Sequence, residues 1–564
     1  MSIPEHLLRP RPAAQIMRPE YFAAMQPSRL SASRALINTL IRSGWTIERI
    51  VWDIDDIGRG TAVYRVYAGD RVFDLVALSF EPQTEGRTAR IIGRNWDMMG
   101  ALLEGPISDA ALEQTRQELP KLYEGRAPEG TLIWARANRS MRLFEHVVDS
   151  LAEHRQPDIH RLAEAGYILR NTGLDGNGTF GTKSFLAYED DHPLRLPYYA
   201  QMLASYLLRE FGFDLAEHLA VVRAPGAVAL DPRIKRYLGL GNGSGLGLIL
   251  WVHNHPRLVS KWIEIRERAI VTASLLSTGT VAEASDELDW LLRRAAQHRR
   301  EDQTTYDAFE SSESVAADLE RIADALGDAL RDAGANGLPL ALLRERMEGV
   351  VSAAALETLH SLMIELVPDA DALLEEMVVS EVLVRDPAQP VGELRRLIED
   401  QYGWALDLAS AAQPEDPQVL YKSRAAEEPR RGPRSEAPHA IDLALHLPTA
   451  IAGIHAELTP FDDGRPVADY LIAHPARRQV VERIQSLSGD PYATPLLELL
   501  GTSTNPVHII GLVNVPFFGL DRTKDHLRRT LRGVLFHGAP TWSDLGGTDD
   551  EHWFWPAEPA EGAA

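Results

Sequence analysis

The chain has no cysteine, which excludes disulfide bonds, thiolate metal ligands and cysteine nucleophiles. It also has no long apolar run, since the best stretch, 246–252, is far shorter than the roughly 20 residues that span a bilayer. The first residues carry neither a basic segment nor an apolar one, so no secretory signal is predicted. We therefore expect a cytoplasmic protein without a membrane partner.

Positive charge is scarce as well. The chain has 58 Lys and Arg residues against 81 Asp and Glu, and a formal net charge of −23. A large nucleic-acid interface needs a basic surface, so nucleic acid is not an expected partner. The remaining composition, with 45% hydrophobic and 25% charged residues, is ordinary for a folded globular protein. Its 564 residues allow about three or four domains.

Hydrophobic periodicity predicts a mainly helical α+β fold. We expect an N-terminal antiparallel β-meander with helices, a helical centre with two loops rich in Gly and Asn, and a mixed α/β C-terminal part. The segment that follows the meander, from 94, is expected to be a short helix. The predicted regions are an N-terminal arm at 1–30, an α+β domain with the meander at 31–155, a helical core carrying both loops at 156–300, an acidic helical region at 301–410, a basic, proline-rich linker or lid at 411–440, a mixed α/β part at 441–545 and an acidic tail, expected to be disordered, at 546–564.

The most unusual stretch is Gly239-Leu-Gly-Asn-Gly-Ser-Gly-Leu-Gly247, which precedes an apolar run and the sequence His253-Asn-His-Pro256. Glycine permits close backbone approach, and a glycine-rich loop that leads into a helix aims N–H groups at an anion. The spacing is not that of a Walker A loop, and it does not follow G-x-G-x-x-G. The alternative is close helix packing through small residues.

A second loop, 171–183, also combines glycines with Asn and Lys. The two loops are separated by one long predicted helix, 198–222, and a connection, and we expect them to converge on one pocket. Its candidate catalytic residues are His253 and Lys183. The candidate ligand-binding residues are Arg136, Arg139, Asn171, Asn177, Asn242, Ser244 and His255.

Each of these candidates also has a structural interpretation. The arginines suit bidentate carboxylate or phosphate recognition, but they could instead pair with internal acids. The asparagines could occupy turn positions, and the histidines could cap the carboxyl end of a helix. His253 and His255 have no accompanying carboxylate, so we predict no metal site.

These observations predict an enzyme that acts on a small anionic metabolite, with no cofactor indicated and a homodimer as the simplest assembly. The alternative is a non-catalytic assembly or regulatory protein. In that case the acidic residues at 301–376 would form a docking surface, although a solvated face of an exposed helical pair explains them more simply.

A second alternative comes from the turn Gly58-Arg-Gly60. Residues 45–105 resemble the glycine-rich hairpin that covers ATP in kinase-like folds, which implies a divergent nucleotide-dependent phosphotransferase. The chain departs from that pattern, because the strand at 72–80 has no lysine and neither an H-x-D loop nor D-F-G follows.

Overall fold

The computed structural model describes residues 5–16, 18–22, 24–81, 96–121, 130–176, 186, 188–243, 255–276, 278–301, 310–333, 338–409, 418–422, 429–433, 443–444, 447–493, 514–522, 532–545, 553 and 555–556. The helices are α1 (Ala13–Ile16), α2 (Pro19–Phe22), α3 (Ala32–Arg42), α4 (Asp109–Glu118), α5 (Phe144–Ala152), α6 (Ile159–Ala163), α7 (Tyr199–Arg223), α8 (Pro232–Tyr237), α9 (Pro256–Ser274), α10 (Thr278–Glu301), α11 (Ser312–Ala333), α12 (Pro339–Met347), α13 (Ala353–Glu365), α14 (Val391–Ala409), α15 (Leu447–Leu458), α16 (Val467–Ala473) and α17 (Arg478–Ser486). The strands are β1 (Thr46–Ile54), β2 (Gly60–Ala68), β3 (Arg71–Ser79), β4 (Met98–Glu104), β5 (Thr131–Arg139), β6 (Tyr167–Gly176), β7 (Gly239–Gly243), β8 (Gln418–Lys422), β9 (Pro429–Pro433), β10 (Leu443–Ala444), β11 (Leu520–Arg522) and β12 (Arg532–Leu535). Within these ranges, no helix is both long enough and apolar enough to cross a membrane.

The predicted mainly helical α+β fold is confirmed. Nine strands form one sheet in the order β1-β2-β3-β4-β5-β6-β7-β12-β11, and β8, β9 and β10 form a small second sheet. The first six strands are antiparallel neighbours, which confirms the N-terminal meander. Gly69, at a positive φ of 63°, makes the tight turn from β2 to β3. The short helix expected after the meander is wrong, because Met98–Glu104 is the strand β4.

Helix α7 covers one face of this sheet. Its side chains are buried along most of its length, and they join the main core with inward residues of β2 to β6. Gly100 on β4 and Gly212 on α7 allow the close approach, since a Cβ at either position would lie about 3 Å from a leucine side chain. The other face carries a smaller core that includes Val76 and Met99.

The glycine stretch begins as a strand and not as a loop. Residues Gly239–Gly243 form β7, which runs parallel to β6 and antiparallel to β12. A Cβ at Gly239 would lie 2.3 Å from the carbonyl oxygen of Leu535, and one at Gly241 would lie 2.8 Å from the ring of Tyr167. These two glycines therefore serve close packing, although between strands and not between helices.

Buried ion pairs join helices α9 and α13 to the N-terminal arm and to α3. Arg11 binds Glu267 on α9 and Glu357 on α13, and Arg34 on α3 binds Glu365. The solvated, exposed helical pair expected within 301–376 is therefore wrong for α13, whose residues from 355 to 365 are all buried. These glutamates are tolerated in the core because each has a buried arginine partner.

Candidate functional site

The two stretches rich in Gly and Asn begin on neighbouring strands of the sheet. Asn171 on β6 and Asn242 on β7 are register partners in the parallel pair, and Asn242 is also the partner of Gly533 on β12. Asn171 is fully buried, and its Nδ2 donates to Oγ of Ser205 on α7 at 3.1 Å. Asn171 therefore links the sheet to α7, while its backbone lies beside that of Asn242.

The connection between these strands is a β-α-β unit. The chain runs from β6 through α7 and α8 to β7, so both strands point their carboxyl ends to the same edge of the sheet. The candidates Asn177, Lys183, Ser244 and His253 lie outside the described residues. The sequence does not reveal the parallel pairing, because both stretches are predicted to be loops from their first residue.

Arg136 lies on the opposite face of the sheet from Asn171. It is paired with Met99, which belongs to the smaller core, whereas the neighbouring Ala137 belongs to the main core under α7. The guanidinium carbon of Arg136 lies 5.1 Å from the ring centres of both Trp96 and Trp134. The sheet thus separates Arg136 from Asn171, and these two predicted ligand-binding residues do not meet.

Arg139 holds the first hairpin in place. Its Nη2 donates to Oγ of Ser79 at 2.9 Å and to the carbonyl of Gly58 at 3.1 Å, while its backbone N–H donates to Asp97 at 3.1 Å. Burial raises the pKa of Asp97, against the opposing charge of Arg139. Gly58 also packs against Leu219 of α7. The hairpin that resembles a nucleotide-covering loop is therefore held against α7 of the same chain.

His255 is the buried residue before Pro256, at the start of α9. Residues 244–254 lie outside the described part of the chain, so its expected position at the carboxyl end of a preceding helix stays a prediction. The backbone N–H groups at the start of α9 already donate to an anionic side chain. The carboxylate of Glu381 accepts from the backbone N–H of Arg257 at 3.2 Å and from that of Leu258 at 2.6 Å. Burial raises the pKa of Glu381 to about 7, although these N–H groups oppose the shift.

Replacing Glu381 by Gln should make folding less sensitive to pH. Between the pKa of an unfolded Glu, about 4.3, and the raised folded value, the folded chain binds more protons, so its stability falls as pH rises. Gln keeps an oxygen acceptor for the helix and does not ionise. We expect the free energy of unfolding of Glu381→Gln, relative to the parent, to increase by about 1–3 kcal/mol from pH 5 to pH 8 in urea titrations.

The matched control is Glu393→Gln, because Glu393 lies in the first turn of α14 but is exposed. Its stability relative to the parent should stay constant over the same pH range. An equal pH response in both variants would show that the burial of Glu381 does not influence the pH dependence of the free energy of unfolding.

The structure also brings together three residues that the sequence analysis missed. Nδ1 of His537 lies 2.5 Å from one carboxylate oxygen of Asp521, and Nε2 of His298 lies 3.4 Å from the other. Burial alone would raise the pKa of Asp521, but the two histidines hold it well below its usual range. These residues come from α10, from β11 and from the turn after β12, so no sequence spacing could reveal them.

This histidine–aspartate cluster (His298, Asp521 and His537) lies at the other end of β7. The backbone nitrogen of His537 would be 3.0 Å from a Cβ at Gly239, the first residue of that strand. Nε2 of His537 is buried and has no hydrogen-bond partner in the described part of the chain. An imidazole oriented by a carboxylate suits proton transfer, so the cluster is a second candidate site for acid–base chemistry.

Comparison of the chain with models of protein families, with curated proteins and with solved structures finds no match. Within the described residues, no group of three or more His, Asp or Glu side chains is arranged to hold a metal ion. The function is therefore inferred from the geometry of the fold and of the residues at the two ends of β7.

Proposed function

We propose that the chain is an enzyme that acts on a small anionic metabolite, a carboxylate or a phosphate, at the carboxyl ends of β6 and β7. One observation carries the proposal: among the described strands, β6 and β7 form the only parallel pair, and both stretches rich in Gly and Asn begin in these strands and continue in the sequence past their carboxyl ends. In sheets with β-α-β units, ligands bind in the crevice outside those ends.

The register of the pair supports convergence of the two stretches. Asn171 and Asn242 are partners on strands that lie about 5 Å apart. β6 continues to Gly176 and β7 to Gly243, so the two departures differ by about four residues, or roughly 13 Å along the strands. A small ligand spans such a distance together with the side chains that bind it.

The proposed roles follow the chemistry of the side chains. Lys183 supplies positive charge to the anion, His253 serves as the acid or base, and Asn177, Asn242 and Ser244 supply hydrogen bonds. Arg139 is not included in the proposed site because its guanidinium holds the first hairpin. We propose in addition that the enzyme is a cytoplasmic homodimer, since two-fold assembly is the commonest oligomeric arrangement.

A carboxylate placed at Asn242 should repel the proposed ligand. We expect a thermal-shift screen of sugar phosphates, nucleotides and carboxylic acids to give one class that stabilises the parent, because ligand binding raises the apparent stability by mass action. Asn242→Asp should bind that class at least about 10-fold more weakly, a loss of about 1.4 kcal/mol. Lys183→Gln should weaken it to a similar extent.

The matched control is Asn138→Asp on β5. Asn138 follows Arg136 by two residues on this strand and so shares its face, away from α7. This variant should bind the ligand as the parent does. If all three variants responded alike to every class of ligand, the site would not lie at this edge of the sheet.

A further inference from the structure

Residues 380–386 belong to no helix and to no sheet, but they show the alternation of an extended strand. The even-numbered residues are exposed, including Val382 at 66% and Val384 at 67%, whereas the odd-numbered residues are half-buried. A period of two is the side-chain period of a β-strand. One face of this segment is therefore turned to solvent, and it carries two valines.

Side chains of α17 hold one backbone edge of the segment. Oγ of Ser486 accepts from the N–H of Val384 and donates to its carbonyl oxygen, both at 2.8 Å. Gln485 likewise accepts from the N–H of Asp386 at 3.0 Å and donates to its carbonyl oxygen at 2.8 Å. These backbone groups all belong to even-numbered residues, so the edge is bound as it would be by a neighbouring strand.

The half-buried side chains fix the inner face of the segment. The carboxylate of Glu381 accepts from the backbone N–H of Leu258, at the start of α9, at 2.6 Å. Nη2 of Arg385 donates to Glu482 on α17 at 2.5 Å. The segment is thus held along one edge and across one face by the chain to which it belongs.

The opposite edge carries free backbone groups. The N–H and carbonyl groups of Glu381, Leu383 and Arg385 make no hydrogen bond with any residue that the structure describes. In an extended strand these groups alternate with those bound to α17 and point away from it. Buried backbone groups without partners are rare, so this edge is open to solvent. An open edge is a template for pairing with another strand.

The sequence of the segment suits pairing with a second copy of itself. In Glu381-Val-Leu-Val-Arg385 the apolar residues read the same in both directions, and the two ends have opposite charges. A two-fold axis at Leu383 makes an antiparallel pair in which Val382 lies opposite Val384 of the second copy. The same register sets Glu381 opposite Arg385. Apolar pairs and pairs of opposite charge stabilise neighbouring strands, whereas like charges directly opposite destabilise them.

This register also satisfies the free edge. Leu383 faces its own copy across the axis, and each such pair of opposite residues exchanges two backbone hydrogen bonds. Glu381 and Arg385 exchange theirs in the same way, so every free N–H and carbonyl group of the odd-numbered residues finds a partner. Pro387 has no N–H and therefore limits the pairing to a short strand.

We propose that residues 381–385 form the interface of a homodimer, in which the strands of two copies pair antiparallel about a two-fold axis at Leu383. The proposal rests on the homodimer proposed above, but not on the ligand site at the carboxyl ends of β6 and β7. Two strands of this length bury less than the roughly 800 Å² per partner that is usual for a stable complex, so we expect a weak dimer with a micromolar dissociation constant.

The chain has no cysteine, so single introduced thiols test the register without background. Val382→Cys and Val384→Cys are purified separately, and each is oxidised alone and in an equimolar mixture. Between two copies of one variant the Cα atoms lie diagonally, about 7–8 Å apart, beyond the usual reach of a disulfide. In the mixture they lie directly opposite at about 4.5 Å, and we expect at least about 5-fold more disulfide-linked dimer.

A charge series gives a second measurement by light scattering over a range of concentrations. Val382→Lys with Val384→Lys sets like charges opposite each other, and this variant should stay at the mass of one chain. Val382→Glu with Val384→Lys sets opposite charges opposite each other in the antiparallel register, and it should keep the dimer. The matched control is Ile472→Lys on α16, because Ile472 is apolar and 76% exposed but lies outside the segment. It should dimerise as the parent does.

The proposal is overturned if the parent stays monomeric up to submillimolar concentration, in which case a strand of another protein is the remaining occupant of the edge. It is also overturned if the cysteine variants cross-link as well alone as in the mixture. A parent dimer that persists in the double lysine variant would place the homodimer interface elsewhere. The thermal-shift screen tests the ligand site separately, since the double lysine variant should bind the same ligands as the parent.

Discussion

Arg11→Ala is expected to lower the free energy of unfolding by about 3–5 kcal/mol. Nε and Nη2 of Arg11 donate to Glu267 at 2.9 and 2.8 Å, and Nη1 donates to Glu357 at 2.5 Å. All three side chains are buried. Removal of the arginine leaves Glu357 with Arg266 and deprives Glu267 of its bidentate partner, so the buried charges are no longer compensated.

The loss should be smaller in acid. Burial alone would raise the pKa of Glu357, but the charges of Arg11 and Arg266 lower it well below its usual range. Stability from a lowered carboxyl pKa is present above the unfolded value of about 4.3 and is lost as pH falls through the folded value, so the parent keeps it at pH 5. Without Arg11, burial raises the carboxyl pKa values, and protonation near pH 5 relieves the uncompensated charge.

Urea titrations at pH 7 and pH 5 measure both effects. The matched control is Arg9→Ala, because Arg9 lies in the same arm and pairs with Glu5 at the surface, where ion pairs contribute little. We expect Arg9→Ala to change stability by less than about 0.5 kcal/mol at either pH. Equal losses in the two variants would contradict a special role of the buried network.

How far the sequence predicts this fold depends on whether an element carries a local signal. Strands β2 and β3 are rich in Val, Tyr and Phe and are joined by the turn at Gly69, and α7 repeats its apolar residues at helical spacing, so these elements could be predicted. Strand β4 is buried on both faces from Met98 to Leu103 and therefore shows no alternation. Strand β7 contains too few side chains to show any pattern.

The buried charges were beyond prediction for a different reason. Glu357 and Glu365 belong to a segment rich in acidic residues. The local sequence of such a segment predicts a helix face exposed to solvent. Their partners, Arg11 and Arg34, lie more than 300 positions away in the chain. Only the tertiary fold pairs them, and a buried carboxylate is tolerated only with such a partner.

The relation between the two stretches rich in Gly and Asn could not be predicted from the sequence, because it depends on the parallel pairing of β6 and β7. Arg136 was predicted to bind the ligand, but β5 continues to Arg139, and strand alternation directs Arg136 to the face of Trp134.

Arg209→Ala is the second substitution with a large expected effect, about 3–5 kcal/mol. Arg209 is fully buried on α7, and it donates to the carbonyls of Leu238 and Lys235 at 2.7 Å and of Ala539 at 2.9 Å. It also binds Glu210 at 2.9 Å. One guanidinium thus joins α7 to the end of α8 and to the C-terminal turn.

The conservative variant separates charge from geometry. Burial raises the pKa of Glu210 to about 7, against the opposing charge of Arg209. Arg209→Lys keeps that charge but cannot reach three carbonyls from one planar group, so it should recover less than half of the loss. Burial of carbonyls without donors accounts for the remainder.

Arg223→Ala is the matched control on the same helix, because Arg223 binds Glu145 and Asp149 at the protein surface. It should cost less than about 1 kcal/mol in the same urea titrations. Limited proteolysis provides a second measurement. Since Arg209 holds Ala539 to α7, its replacement should release the turn at 536–540, and cleavage there should accelerate before cleavage elsewhere. A variant that lost stability without earlier cleavage at this turn would show that Arg209 stabilises α8 and not the C-terminal part of the chain.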